Sequence, residues 1–79
     1  MTMKATIILD WFIGHDKAYV TVDGCDWHCS IAGCTSVKTA KARVRRLYFK
    51  ATGLRLGRMV HTHDDGSWEY YEADMLRDA

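Results

Sequence analysis

The sequence predicts an α+β fold: an antiparallel sheet with one helix packed on one face, in the order β-β-β-α-β-β. Three observations predict it. An alternating apolar pattern recurs between Ala5 and Ile31 around an Asp-Gly dipeptide, one stretch of helical period lies between a Ser/Thr cap and a glycine, and extended character returns after that glycine. With 79 residues, 48% of them apolar, the chain has material for one core, so a single domain over residues 1–79 without linkers is expected.

Ala5 to Phe12 (ATIILDWF) is rich in β-branched and aromatic residues, and Ile7, Leu9 and Trp11 fall on one face of an extended chain, which makes this the first strand. Ile13 to Lys17 interrupts the pattern with a glycine and polar residues; Ala18 to Val22 resumes it as the second strand. Asp23-Gly24 suits a two-residue type I′ turn, whose central positions both need positive φ, and leads into a third strand, Cys25 to Ile31. In that register Val22 faces Cys25 and Val20 faces Trp27, so Val20, Val22, Cys25, Trp27, Cys29 and Ile31 share the core face.

Thr35 or Ser36 can cap a helix that Gly53 closes in a left-handed conformation, which brackets Val37 to Thr52. Within it Val37, Ala40, Val44, Leu47 and Ala51 form one apolar stripe. Leu54 to His63 returns to extended character, and Asp64-Asp65-Gly66 marks a turn into a last strand, Ser67 to Ala73, with Trp68 and Tyr70 on one side.

Several function classes are unsupported by this pattern. No P-loop, GxGxxG, HExxH or nucleophile elbow occurs, and a chain this short rarely builds a catalytic cleft, so a non-enzyme is expected. Cys25, Cys29 and Cys34 are separated by three and four intervening residues, unlike the tight pairs of zinc sites, and His28 points away from Cys25 and Cys29 on a strand. They read as core thiols in a reducing compartment, with no metal and no cofactor. His61 and His63, two apart on an extended segment, are expected to share one face beside Asp64 and Asp65, as a solvated edge in preference to an acid/base or metal pair. No apolar run approaches the length of a membrane span and the opening residues lack a cleavable signal pattern, so a cytoplasmic, non-membrane protein is expected.

The net charge of +1 conceals a segregation along the chain: −2 over residues 1–34, +8 over 35–58 and −5 over 59–79. Such a basic segment attracts polyanions or acidic protein surfaces. Six of its cations lie in the helix. Off the apolar stripe stand Lys38, Arg43, Arg45, Arg46, Phe49 and Lys50, with Lys41 adding to the field, and these seven residues are the candidate partner-binding set. An exposed aromatic ringed by arginines has the composition of a binding hot spot. Phe49 has a second reading, in which its ring tucks under the segment after Gly53.

The stretches TIILDWF, AYVTVDG, DWHCSI and GCTSVKTAKARVRRLYFKATG resemble the β-β-β-α core of the HicB-type antitoxins, which have a partial double-stranded-RNA-binding fold. That resemblance spans about half the chain and implies an antitoxin or direct nucleic-acid binder. In length, element order and the basic face of SVKTAKARVRRLYFK the chain also resembles short phage-encoded anti-CRISPR proteins, in particular inhibitors of the type I-C complex. That resemblance implies a cytoplasmic protein of the bacterial host cell that binds Cascade subunits and blocks entry of target DNA.

Overall fold

A computed structural model describes residues 3–76 of the chain. Its elements are β1 (Lys4–Asp10), β2 (Lys17–Val22), β3 (Cys25–Ser30), α1 (Val37–Thr52), β4 (Arg55–Leu56), β5 (Val60–Asp65) and β6 (Trp68–Leu76). The strands form an antiparallel sheet in the order β3-β2-β1-β6, and β4 and β5 share the far edge of β6. Because α1 connects β3 at one edge to β4 at the other, it must cross one face of the sheet. Among the described residues no helix covers the opposite face.

The β2–β3 hairpin has the predicted register, with Val22 opposite Cys25 and Val20 opposite Trp27. Asp23 and Gly24 take φ of 50° and 79°, the positive values that a type I′ turn demands and a β-branched residue would resist. At the helix start the Ser36 side chain accepts the Thr39 N–H at 3.2 Å. At its end Gly53, at φ 76°, donates its N–H to the Phe49 carbonyl at 2.7 Å.

Ala5, Ile7, Leu9, Ala18, Val20, Tyr71 and Ala73 form the sheet side of the core, and Ala40, Val44 and Tyr48 press down from the helix. Ile31 and Met59 close the core from the connections and Leu56 from β4. Fully burying an aliphatic side chain such as Ile7 or Leu9 contributes about 1.5–3 kcal/mol, and both are wholly buried.

Four sequence expectations are corrected in detail. The helical stripe turns on Tyr48, which is 5% exposed, whereas Ala51 is exposed and Leu47 only half-buried. The Tyr48 ring meets Trp27 edge-on, 5.2 Å between centroids at 84°, so a tyrosine supplies apolar contact that an aliphatic count overlooks. The extended segment after Gly53 is two strands, because the chain leaves β6 after Leu56, buries Met59, and rejoins the same edge at Val60. Cys25 is on the core face by register but lies exposed at the turn end of an edge strand, while Cys29 and Cys34 pack partly against the core. Finally, β1 ends at Asp10, whose buried carboxylate accepts the Phe12 N–H at 3.0 Å and turns the chain out of the sheet.

Candidate binding surface

The helix α1 carries Lys38, Lys41, Arg43, Arg45, Arg46 and Lys50 and no acidic residue. Packing on the sheet divides these cations between two flanks and an outward ridge. On the flank toward β3, Arg43 donates from Nη1 to the Ala32 carbonyl at 2.7 Å, so it clamps the entry to the helix. On the flank toward β6, the Lys41 ammonium lies 4.5 Å from the centre of the Tyr71 ring and its stem is half-buried. Lys38, Arg46 and Lys50 are exposed, and among the described residues no carboxylate pairs with them.

Three of the predicted residues converge. Arg45, Arg46 and Phe49, with Ala42, Arg55 and Leu56, line a shallow groove of about 390 Å³ between the helix and β4. Phe49 is 39% exposed, and the Arg55 guanidinium lies 5.1 Å from its ring centre, so the ring is neither buried nor bare: it forms one wall of the groove under a cation. Lys50 follows Arg46 by one helical turn on the same exposed side. The seven predicted residues are therefore not one patch. Arg45, Arg46 and Phe49 meet in the groove, where half-buried Arg45 also donates from Nη2 to the Gly57 carbonyl at 3.4 Å; Lys38 and Lys50 extend its field, and Lys41 and Arg43 are spent on packing. Sequence reasoning missed Arg55, because β4 is too short to reveal its side-chain phase.

Beside the Lys41 flank is a polar cluster on the helix side of the sheet. The Trp11 indole N–H donates to a Glu69 oxygen, and Glu69 also takes the Tyr71 hydroxyl. Burial, then the charge and hydrogen bond of Glu69, then the charge of Asp64, push the Tyr71 phenol from its ordinary 10 up to about 12. The folded state thus favours the neutral phenol. Its contribution is complete below about pH 10 and is lost as pH rises from there toward 12, at up to about 1.4 kcal/mol per pH unit. The expected result is a melting temperature that falls more steeply above pH 10 in the parent chain than in a Tyr71→Phe variant, read by circular dichroism across that window.

His61 and His63 do not share a face. A bulge between them sets His61 opposite Tyr71, on the helix side, and His63 opposite Tyr70, on the bare side. The extra residue reverses the alternation that the two-residue spacing implied. His61 pairs with Asp64 at 2.7 Å, and His63 stacks on Tyr70 with centroids 4.2 Å apart. Burial pushes the Cys29 thiol up, against the pull of Arg43, so it is held protonated and poorly nucleophilic. Comparison with protein-family models, curated proteins and solved structures finds no match for this chain.

Proposed function

We propose that the chain is a non-enzymatic binding protein that acts in the bacterial cytoplasm by docking its basic helix on an acidic or nucleic-acid-handling surface of a type I Cascade complex, so that target DNA is not admitted. The observation that carries this reading is the groove lined by Arg45, Arg46, Phe49 and Arg55 on a helix with no acidic residue. An arginine-flanked aromatic in a groove has the make-up of an interface anchor: the ring offers area to desolvate and the guanidinium groups pair with carboxylates or phosphates. The choice of Cascade as partner rests on the resemblance to short anti-CRISPR proteins.

The same cations support a second reading, a direct nucleic-acid binder of the HicB-like kind. The two differ in salt dependence and in what is captured. A direct binder retards DNA or RNA by itself, and its affinity falls steeply with salt as counterions are released. A Cascade inhibitor is retained by the purified type I-C complex and prevents that complex from binding its target.

The decisive variant is Arg45→Glu combined with Arg46→Glu. Arg46 is exposed, and half-buried Arg45 gives up one long bond, from Nη2 to the Gly57 carbonyl at 3.4 Å, so stability should change by no more than about 1 kcal/mol. Binding to the complex should weaken by at least about 30-fold, corresponding to about 2 kcal/mol of hot-spot energy. A folded double variant that inhibits as well as the parent chain would falsify the placement of the interface on the helix.

A further inference from the structure

The face of the sheet opposite the helix is unlike a solvated surface. Pairing aligns His28, Tyr19, Ile8, Tyr70 and His63 in one row across β3, β2, β1, β6 and β5. Trp68, 37% exposed, adds a further ring in the neighbouring row. Where the row approaches β3, a shallow depression of about 430 Å³ is lined by Ile8, Tyr19, Thr21, Asp26, His28 and Trp68, among others. Thr21 donates its hydroxyl to Asp26 Oδ1 at 2.9 Å, which orients the carboxylate and leaves Oδ2 without a partner among the described residues.

Aromatic rows on open sheets recur in nucleic-acid binding, where bases stack on them. The charge of this face argues otherwise. Among the described strand residues, register and alternation place the exposed carboxylates of Asp26, Asp65, Glu72 and Asp74 on it, against Lys4 and Lys17, while Arg55, in phase with them at the far end of β6, has its guanidinium over the Phe49 ring. A polyphosphate laid across it meets net negative charge, whereas a cation meets rings and a fixed carboxylate together.

We infer that the bare sheet face is a second docking surface, for an arginine-bearing segment of a partner protein, with one guanidinium seated in the depression between the Tyr19 and Trp68 rings and paired with Asp26. Arginine fits this chemistry better than lysine. Its planar guanidinium stacks on an aromatic face while it hydrogen-bonds a carboxylate in its own plane, and it sheds water at lower cost than an ammonium. The site is separate from the basic helix, so the molecule presents opposite charges on its two faces.

The test uses end-blocked hexa-arginine and hexalysine peptides as probes, titrated into the full chain at about 100 mM salt and followed by calorimetry and tryptophan fluorescence. The arginine peptide should bind about tenfold more tightly than the lysine peptide. Asp26→Asn, which is isosteric and far from the core, and Trp68→Ala should each weaken it about tenfold with little change in melting temperature, while Arg46→Glu on the opposite face should not weaken it. Equal affinity for the two peptides, or undiminished binding by both variants, would mean diffuse charge attraction and would overturn the proposal. So would two other outcomes: a single-stranded dT oligonucleotide that binds the parent chain and is lost in Trp68→Ala, or salt-sensitive self-association abolished by Asp26→Asn, which would assign the face to a second copy of the chain.

Discussion

Truncating Tyr48 to alanine should destabilise the protein by about 3–4 kcal/mol, the largest effect of any single change in the helix. Its ring is 5% exposed and meets Trp27 edge-on, so the change removes both a large apolar volume and an aromatic pair with no neighbour free to refill the space. For a chain this small such a loss lowers the melting temperature by roughly 12–30 °C. Ala51→Glu should shift it by no more than about 3 °C, since Ala51 is exposed in the last turn. Phe49→Ala should fall between them, at about 1 kcal/mol, because its ring is only partly covered. Thermal melts of the three variants rank them directly. The reverse ranking, with Ala51→Glu unfolded and Tyr48→Ala intact, would restore the stripe drawn from aliphatic spacing and displace the groove from its present flank.

Tyr48 illustrates which parts of this molecule are written locally. The helix bounds, the Ser36 cap, the left-handed Gly53 and the Asp23-Gly24 hairpin each depend on a few adjacent residues, and each is readable from them. The hairpin also fixes the face of every residue in β2 and β3, since one register sets all the others. What escapes local reading depends on contacts distant in sequence. The phase of the helix end is decided by Trp27, twenty-one positions before Tyr48. The split of the segment after Gly53 depends on how β6, still unread at that point, shares its edge. The bulge that sends His61 and His63 to opposite faces leaves no local mark, because Thr62 is as suited to a regular strand as to a bulge.

The candidate site divides the same way. A helix with six cations and no acid is plain in the sequence, and so is Phe49 among them. Which cations remain available is a tertiary outcome: Arg43 and Lys41 are engaged by the Ala32 carbonyl and the Tyr71 ring, partners that only the folded sheet supplies. The aromatic row on the bare face was equally hidden. Its members lie on five strands, and at most two of them are near neighbours in sequence, so pairing alone assembles them.

Replacing Asp10 with alanine should cost about 2–3 kcal/mol and loosen the β1–β2 connection, although the residue is polar and ends a strand. Its side chain is wholly buried and accepts twice, from the Phe12 N–H at 3.0 Å and from His15 Nδ1 at 2.8 Å. Those two bonds tie the start and the end of a loop whose backbone is also held by the His15 N–H to the Phe12 carbonyl at 2.9 Å and, at its ends, by the Trp11 N–H to the Ser67 carbonyl and the Ile31 N–H to the Asp16 carbonyl. They explain how the loop keeps Phe12 and Ile13 out in solvent, Ile13 at 92% exposure, without collapsing onto the sheet. Asp10→Asn retains an acceptor for Phe12 and loses the charge that assists the bond to His15, so it should cost about half as much. His15→Ala should resemble Asp10→Asn, and the double variant Asp10→Asn with His15→Ala should cost less than the sum of the two, because both remove the same contact. Chemical denaturation gives the three free energies, and amide exchange at Phe12 to His15 reports the loop. Additive costs, or exchange at those amides unchanged in Asp10→Ala, would show that the loop is held by its own backbone and that the carboxylate only fills space.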